Sequence, residues 1–222
     1  MTMLLHLDSS ANRSDESVTR RLTALFADRW RSIHGSTEYR YRDLAADPVP
    51  PIDTAYCQLG RRSEREGVVP LDLVGALIEN DAEADAWALT EPLINEVIAS
   101  STILIGAPLY NFSLPAALKT WIDRITFPGA LALGDTEVVV ITSRGGAYGP
   151  GTPREGWDYE VPYLRAYFTN YGVRDDNIRF ITAELSLAGL VPHLAHLRGL
   201  AERSLAEAVS CVAAGQYAAA QG

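Results

Sequence analysis

The sequence predicts a doubly wound α/β fold, with a parallel sheet of five strands and helices on both faces. Three features point there. Short, mostly apolar runs recur at residues 3–7, 102–106 and 136–142, which suits strands buried on both faces. Stretches with apolar residues at three- and four-residue steps lie between the runs, as amphipathic helices require. Segments rich in serine, glycine or proline follow the runs directly. Regular alternation of strand and helix implies crossover connections and hence a parallel sheet.

The first run, MLLHL at 3–7, stops at Asp8-Ser9-Ser10, and the small polar residues 10–19 read as a loop. Leu22, Leu25, Phe26, Trp30 and Ile33 then mark a helix over about 18–34, with Gly35 placed to cap it. The alternating, aromatic stretch 38–43 (EYRYRD) is a second, more exposed strand. Residues 47–52 (DPVPPI) form a turn that no central strand accommodates, and the charged stretch 57–70 is expected as loop. Residues 71–99 are expected as helix with a break near Pro92. The strand 102–106 (TILIG), the loop 107–113 and a helix over 115–127 follow, Pro115 suiting the first helical position. After the strand 136–142 come a long Gly/Pro loop at 143–157, a helix over 159–171 closed by Gly172, a last strand at 177–182 and an amphipathic helix at 191–214. No repeat is visible, and the expectation is one domain over residues 1–222.

Charge narrows the partners. The net charge of −9 argues against a nucleic-acid binder, which needs basic patches, and against anionic lipid surfaces. No run approaches the roughly 20 apolar residues of a membrane helix. The start, MTMLLHLDSS, lacks the basic beginning of a signal peptide. Cys57 and Cys211 form no CxxC, so no disulfide framework is implied, and a cytoplasmic location is expected. His193 and His196 read as a helix-surface pair with no metal. Trp30, Trp87 and Trp121 fit helical apolar faces and read as core or interface.

In such sheets ligands bind beyond the carboxyl ends of the strands, where strand order reverses. Three loops qualify. Residues 9–19 carry Ser9, Ser10, Ser14, Ser17 and Thr19 into a helix N-terminus, a place for a phosphate held by neutral groups. The loop lacks GxxxxGK[ST] and GxGxxG; without a ligand it reads as a capping loop. Pro108, Leu109, Tyr110, Asn111 and Phe112 offer apolar surface for a flat ring, and the Asn111 amide suits the donor–acceptor edge of a flavin pyrimidine. Without a ligand they are a loop packed beneath the next helix. Ser143, Arg144, Gly145 and Gly146 place paired glycines where backbone N–H groups can meet a partly negative edge.

The segments SS at 9–10, SVT at 17–19, DLAADPVP at 43–50, APLYNFSLPAALKTWID at 107–123, TSRGGAYGPG at 142–151 and VPYLRAYFTNYGV at 161–173 resemble the FMN-dependent NADH-azoreductases, a group of flavodoxin-like quinone reductases. The resemblance implies strand order 2-1-3-4-5. It implies FMN phosphate at Ser10, Ser17, Val18 and Thr19, and the isoalloxazine at Pro108, Leu109, Tyr110, Asn111, Phe112, Ser143, Arg144, Gly145 and Gly146. It further implies a homodimer with the flavin at the interface, and a ping-pong cycle carrying two electrons from NADH or NADPH to a quinone or azo compound. Two departures concern the acceptor. Only PGALALGD (128–135) stands where relatives often carry a longer excursion, and the loop 149–158 is longer than usual, offering Trp157 as a substitute lid.

Because a flavin carries its own electrons, no side chain is expected to be indispensable to the chemistry; Asn111 and Tyr148 are the candidates for orienting the acceptor. Two other readings stand beside this one: a flavodoxin-type FMN electron carrier, and a flavodoxin-like binding protein without cofactor.

Overall fold

The computed structural model describes residues 2–214. Strands β1 (Leu4–Asp8), β2 (Tyr39–Asp43), β3 (Thr102–Gly106), β4 (Glu137–Ser143) and β5 (Ile178–Ala183) form one sheet, entirely parallel, in the order β2-β1-β3-β4-β5. Alternate residues of each central strand enter different cores. Leu4, Leu104, Val139, Ile141 and Ile181 face α1 (Val18–His34) and α6 (Arg198–Ala214), packing on Leu22, Phe26, Trp30, Ala208 and Val212. Leu5, Leu7, Ile103, Ile105, Val138 and Val140 face the opposite layer of α2 (Thr54–Arg65), α3 (Asp81–Ile98), α4 (Ala116–Ile125) and α5 (Glu160–Asn170). β1 and β3 are buried at every position, whereas the edge strand β2 is half-exposed. That difference explains why β2 reads as alternating and the others as apolar runs.

Register brings the strand ends level. Asp8 pairs with Gly106 and with Asp43, and Gly106 pairs with Ile141. The loops after β1, β3 and β4 therefore leave the sheet side by side on one edge.

Three expectations are corrected. The stretch 57–70 is largely helix, since α2 runs Thr54–Arg65 from an Asp53 cap whose carboxylate accepts the Tyr56 N–H at 2.9 Å. Its buried face is Tyr56, Leu59, Gly60 and Ser63; two of these four are small and scarcely apolar, so the helical period is hidden from hydropathy. Residues 71–99 do not form one helix broken at Pro92. A 3₁₀ turn occupies Leu71–Leu77, Asn80 caps α3, and α3 runs through Pro92. Trp87 and Thr90 before the proline and Leu93, Ile94 and Val97 after it are all buried, while Pro92 lies exposed; packing on both sides outweighs the missing hydrogen bond. The last helix likewise starts at Arg198, after a 3₁₀ turn at Pro192–Leu197.

The second core also contains a charge. Arg124 of α4 is 1% exposed and has no carboxylate partner among the described residues. It donates to the carbonyls of Pro50 at 3.0 Å and Pro51 at 2.6 Å and to the Thr90 hydroxyl at 3.2 Å, with its guanidinium 5.7 Å from the Tyr56 ring centroid. It thereby ties the proline-rich turn to the helix layer.

Candidate functional site

The first loop is built around three buried hydroxyls. Ser17 caps α1 and donates to Ser10 Oγ at 3.0 Å, with Thr19 Oγ1 3.2 Å away. The N–H groups of Val18 and Thr19, in the first turn of α1, have no partner among the described residues. Hydroxyls and free N–H groups at a helix N-terminus are suited to an anion. Ser9 plays another part, since its hydroxyl is spent on the Gly106 carbonyl at 2.7 Å.

Arg20 holds this loop in shape. It donates to the carbonyls of Ser10 at 2.8 Å and Asn12 at 3.1 Å, and pairs with Asp43 at 2.8 Å. Burial acts against the Asp43 charge, but the hydrogen bond and charge of Arg20 prevail and hold its carboxyl below the ordinary range. Asp8 accepts from Thr23 at 2.9 Å and Tyr41 at 3.0 Å beneath, so α1 and the edge strand fix the end of β1.

The second loop is a tight reversal. Tyr110 and Ser113 exchange backbone hydrogen bonds at 2.9 and 3.0 Å, and the two residues between them, Asn111 and Phe112, have φ of 48° and 73°. Positive φ at both central positions is the pattern of a type I′ turn. Asparagine tolerates it; phenylalanine does so only under constraint. The constraint is visible: the Phe112 carbonyl accepts the Tyr159 N–H at 2.9 Å, and its ring meets Trp157 edge-on with centroids 5.3 Å apart. The turn leaves the N–H groups of Asn111 and Phe112 free among the described residues. Pro108 and Leu109 lie buried below it.

In the third loop Ser143 offers its carbonyl to Leu109 N at 2.9 Å, which extends the ladder beyond the sheet. Gly145 and Gly146 have free N–H groups among the described residues. A Cβ on Gly145 would lie 2.7 Å from a methyl of the exposed Leu187, which would have to swing aside. The Arg144 side chain turns inward, to Asp158 at 2.7 Å and Glu184 at 3.5 Å. Tyr148 is buried; its N–H reaches Glu184 at 3.0 Å and its hydroxyl accepts from Arg154 at 3.0 Å.

Direct bonds join the three loops. The Tyr110 hydroxyl lies 3.5 Å from Ser10 Oγ and accepts the Ala11 N–H at 3.2 Å, linking the second loop to the first as Leu109 links it to the third. All the residues expected from sequence thus lie along one sheet edge, with two refinements. Tyr110 contributes its hydroxyl as well as its ring, and Arg144 spends both its backbone and its charge on neighbours, leaving the free donors to Gly145 and Gly146. Sequence reasoning missed Arg20, Asp43, Asp158 and Glu184. DLAADPVP already contained Asp43; nothing local marked the other three. Among the described residues, no helix is long and apolar enough to cross a membrane, and no group of three or more His, Cys, Asp or Glu side chains could hold a metal ion.

The profile of a family described as flavodoxin-like fold matches residues 2–189. The chain belongs to this family. Among its flavodoxin-like relatives, an FMN-dependent NADH:quinone oxidoreductase of Nocardia farcinica is 42% identical over 209 residues, spanning 94% of this chain and 95% of the relative. One of the same name from Kineococcus radiotolerans is 38% identical over 220 residues, with 96% of each chain covered. An azoreductase structure from Bacillus anthracis superposes with a TM-score of 0.78 over 97% of this chain and 98% of its own, at 19% identity. A Bacillus anthracis FMN-dependent NADH-azoreductase in complex with FMN gives 0.75 over 96% and 99%, at 18%. At those identities the two structures speak for the flavodoxin-like fold alone.

Proposed function

We propose that this chain is an FMN-dependent oxidoreductase that carries two electrons from NADH, or NADPH, to quinones and azo compounds in a ping-pong order. One observation carries the reading. Three sets of unspent backbone donors, at Val18–Thr19, Asn111–Phe112 and Gly145–Gly146, stand on adjacent strand ends of loops bonded to one another. That donor set fits FMN, with a terminal phosphate at one end and a flat ring with a polar edge at the other. The family membership and the names of the relatives point the same way.

In this reading Ser10, Ser17, Val18 and Thr19 hold the phosphate. Pro108, Leu109, Tyr110, Asn111 and Phe112 bound the ring, and Ser143, Arg144, Gly145 and Gly146 line its polar edge, where Gly145 and Gly146 supply the N–H groups. Bound FMN supplies the two-electron chemistry; the chain binds it, orients it and limits water. Trp157, half-exposed against Phe112, forms one wall for the acceptor, and Asn111 and Tyr148 orient it. The reading carries with it a single domain over residues 1–222 and a cytoplasmic homodimer with the flavin site at the interface. A mostly apolar hollow beside the Tyr110–Ser113 turn, lined by Leu114, Thr120 and Tyr163 among others, supports an interface there.

The test is FMN binding followed by quinone-dependent NADH oxidation. Turnover with a quinone or azo dye is expected. A protein that binds no FMN would sink the reading, and one that binds FMN with negligible turnover is an electron carrier instead.

A further inference from the structure

Beneath the Ser143–Gly146 turn lies a group of buried polar atoms that no hydrogen bond satisfies. Glu160, the first residue of α5, is 0% exposed, and neither of its carboxyl oxygens has a partner. Thr142 Oγ1, at the end of β4, and Arg144 Nε, in the turn, are likewise buried without partners. Orphaned buried polar atoms are rare enough to need a reason, and here two of them stand beside a carboxyl whose own two oxygens are orphaned as well.

Charge at this spot is already committed. Arg144 gives its terminal nitrogens to Asp158 and Glu184, and Tyr148 lies with its ring centroid 5.8 Å from the guanidinium. The other Asp158 oxygen accepts the Glu160 N–H at 2.9 Å and the Val161 N–H at 3.1 Å, capping α5. One guanidinium thus serves two carboxylates, and a third negative charge at Glu160 would have Arg144 Nε as the donor left to it. Burial pushes the Glu160 carboxyl up to about 8; the Thr142 hydroxyl, close by but without the geometry of a satisfied hydrogen bond, and the Arg144 charge act against the rise, and the Asp158 charge adds to it. The side chain is therefore uncharged at neutral pH.

We propose that Glu160 is a positioning residue for the ligand edge at residues 143–146. Uncharged, it leaves Arg144 to Asp158 and Glu184 and so fixes the turn; ionised, it competes with Asp158 for Arg144 and shifts the turn. The Arg144 backbone is held by its N–H to the Ala183 carbonyl at 2.9 Å and by its carbonyl accepting from Ser186 N–H at 2.9 Å and Ser186 Oγ at 3.1 Å, so re-pairing acts on the turn through the Arg144 side chain. Re-pairing would also free from Arg144 the Asp158 end of the loop that seats Trp157 on Phe112. Ligand affinity at this edge consequently depends on a proton that never touches the ligand. The inference rests on the FMN reading above.

Equilibrium binding of FMN, followed by flavin fluorescence from pH 6.5 to 9.5, tests it. Wild-type affinity is expected to weaken about tenfold between pH 7 and 9.5, the linkage of a one-unit shift in the carboxyl's titration on binding. Glu160→Gln, neutral throughout, is expected to stay within about twofold over the range. Parallel profiles for the two proteins would overturn the proposal. Should the variant not fold, infrared spectroscopy of wild-type protein without FMN reads the protonated carboxyl directly. Its carbonyl band is expected at pH 6.5, disappearing near pH 8, with a midpoint that rises when FMN is added. A band absent at pH 6.5, or a midpoint that FMN leaves unmoved, overturns the proposal. Failure of wild-type protein to bind FMN at pH 7 counts against the FMN reading instead, and the infrared titration still reports on Glu160.

Discussion

Replacing Glu160 by glutamine changes how the stability of this fold depends on pH, and the size of the change can be worked out beforehand. The carboxyl titrates near 4.5 in the unfolded chain and at about 8 in the folded one, chiefly through burial. Between those values the folded state keeps a proton that the unfolded chain has lost. Stability is therefore complete below about pH 4.5 and falls as pH rises toward 8. At about 1.4 kcal/mol per unit, this one group removes about 4 kcal/mol between pH 4.5 and pH 8. Other groups titrate too, so the informative quantity is the difference between wild type and Glu160→Gln. Urea denaturation at a series of pH values supplies it. Near pH 4.5 both carry a neutral side chain of one shape, and their difference is a constant offset. From there to pH 8 the variant is expected to gain about 4 kcal/mol on wild type. Curves that stay parallel across this range would refute the reasoning, because they would mean that Glu160 ionises in the fold as it does in the unfolded chain.

Arg124→Leu leaves the carbonyls of Pro50 and Pro51 without their donor, and a loss of about 3 kcal/mol is expected in urea denaturation, with FMN affinity of the folded protein unchanged. Arg20→Met frees Asp43 and loosens the carbonyls of Ser10 and Asn12; FMN binding by fluorescence titration is expected to weaken about tenfold, the worth of one charge-assisted hydrogen bond, and unchanged affinity would remove Arg20 from the phosphate loop's support. Asn111→Ala is expected to weaken FMN binding or slow quinone reduction. Asn111→Gly, which accepts the positive φ of 48° without strain, separates the amide's role from that of the turn, since a loss shared by both variants belongs to the amide.

Much of the fold could be read along the chain because its signals are local. Leu4, Leu5 and Leu7, or Val138 through Ile141, declare burial on both faces by being apolar at successive positions. Ser17 declares a helix start by type and place. Where locality failed, the reason is physical. α2 buries Gly60, which faces Phe127 and Pro128, and Ser63, and neither leaves a hydropathy signal. Pro92 marks a break by its type alone, and only the packing of Trp87 and Leu93 around it shows that the helix continues.

The candidate site divides in the same way. The sequence by itself determined which loops would carry it: a serine loop before a helix, an Asn between aromatics and a pair of glycines, each after a strand of a parallel sheet. The chirality and burial of such a sheet leave those loops on one edge. Tertiary structure alone decided what holds them. The Tyr110 hydroxyl reaches Ser10 across 100 residues, Arg144 reaches Glu184 across 40, and Arg20 reaches Asp43 across 23. It also decided that Glu160 is uncharged, for the sequence shows only an acidic residue at a helix start, where a negative charge is ordinarily favoured. Whether a carboxyl keeps its proton depends on the water removed from around it and on the charges brought near it, and both are set by segments distant in the chain.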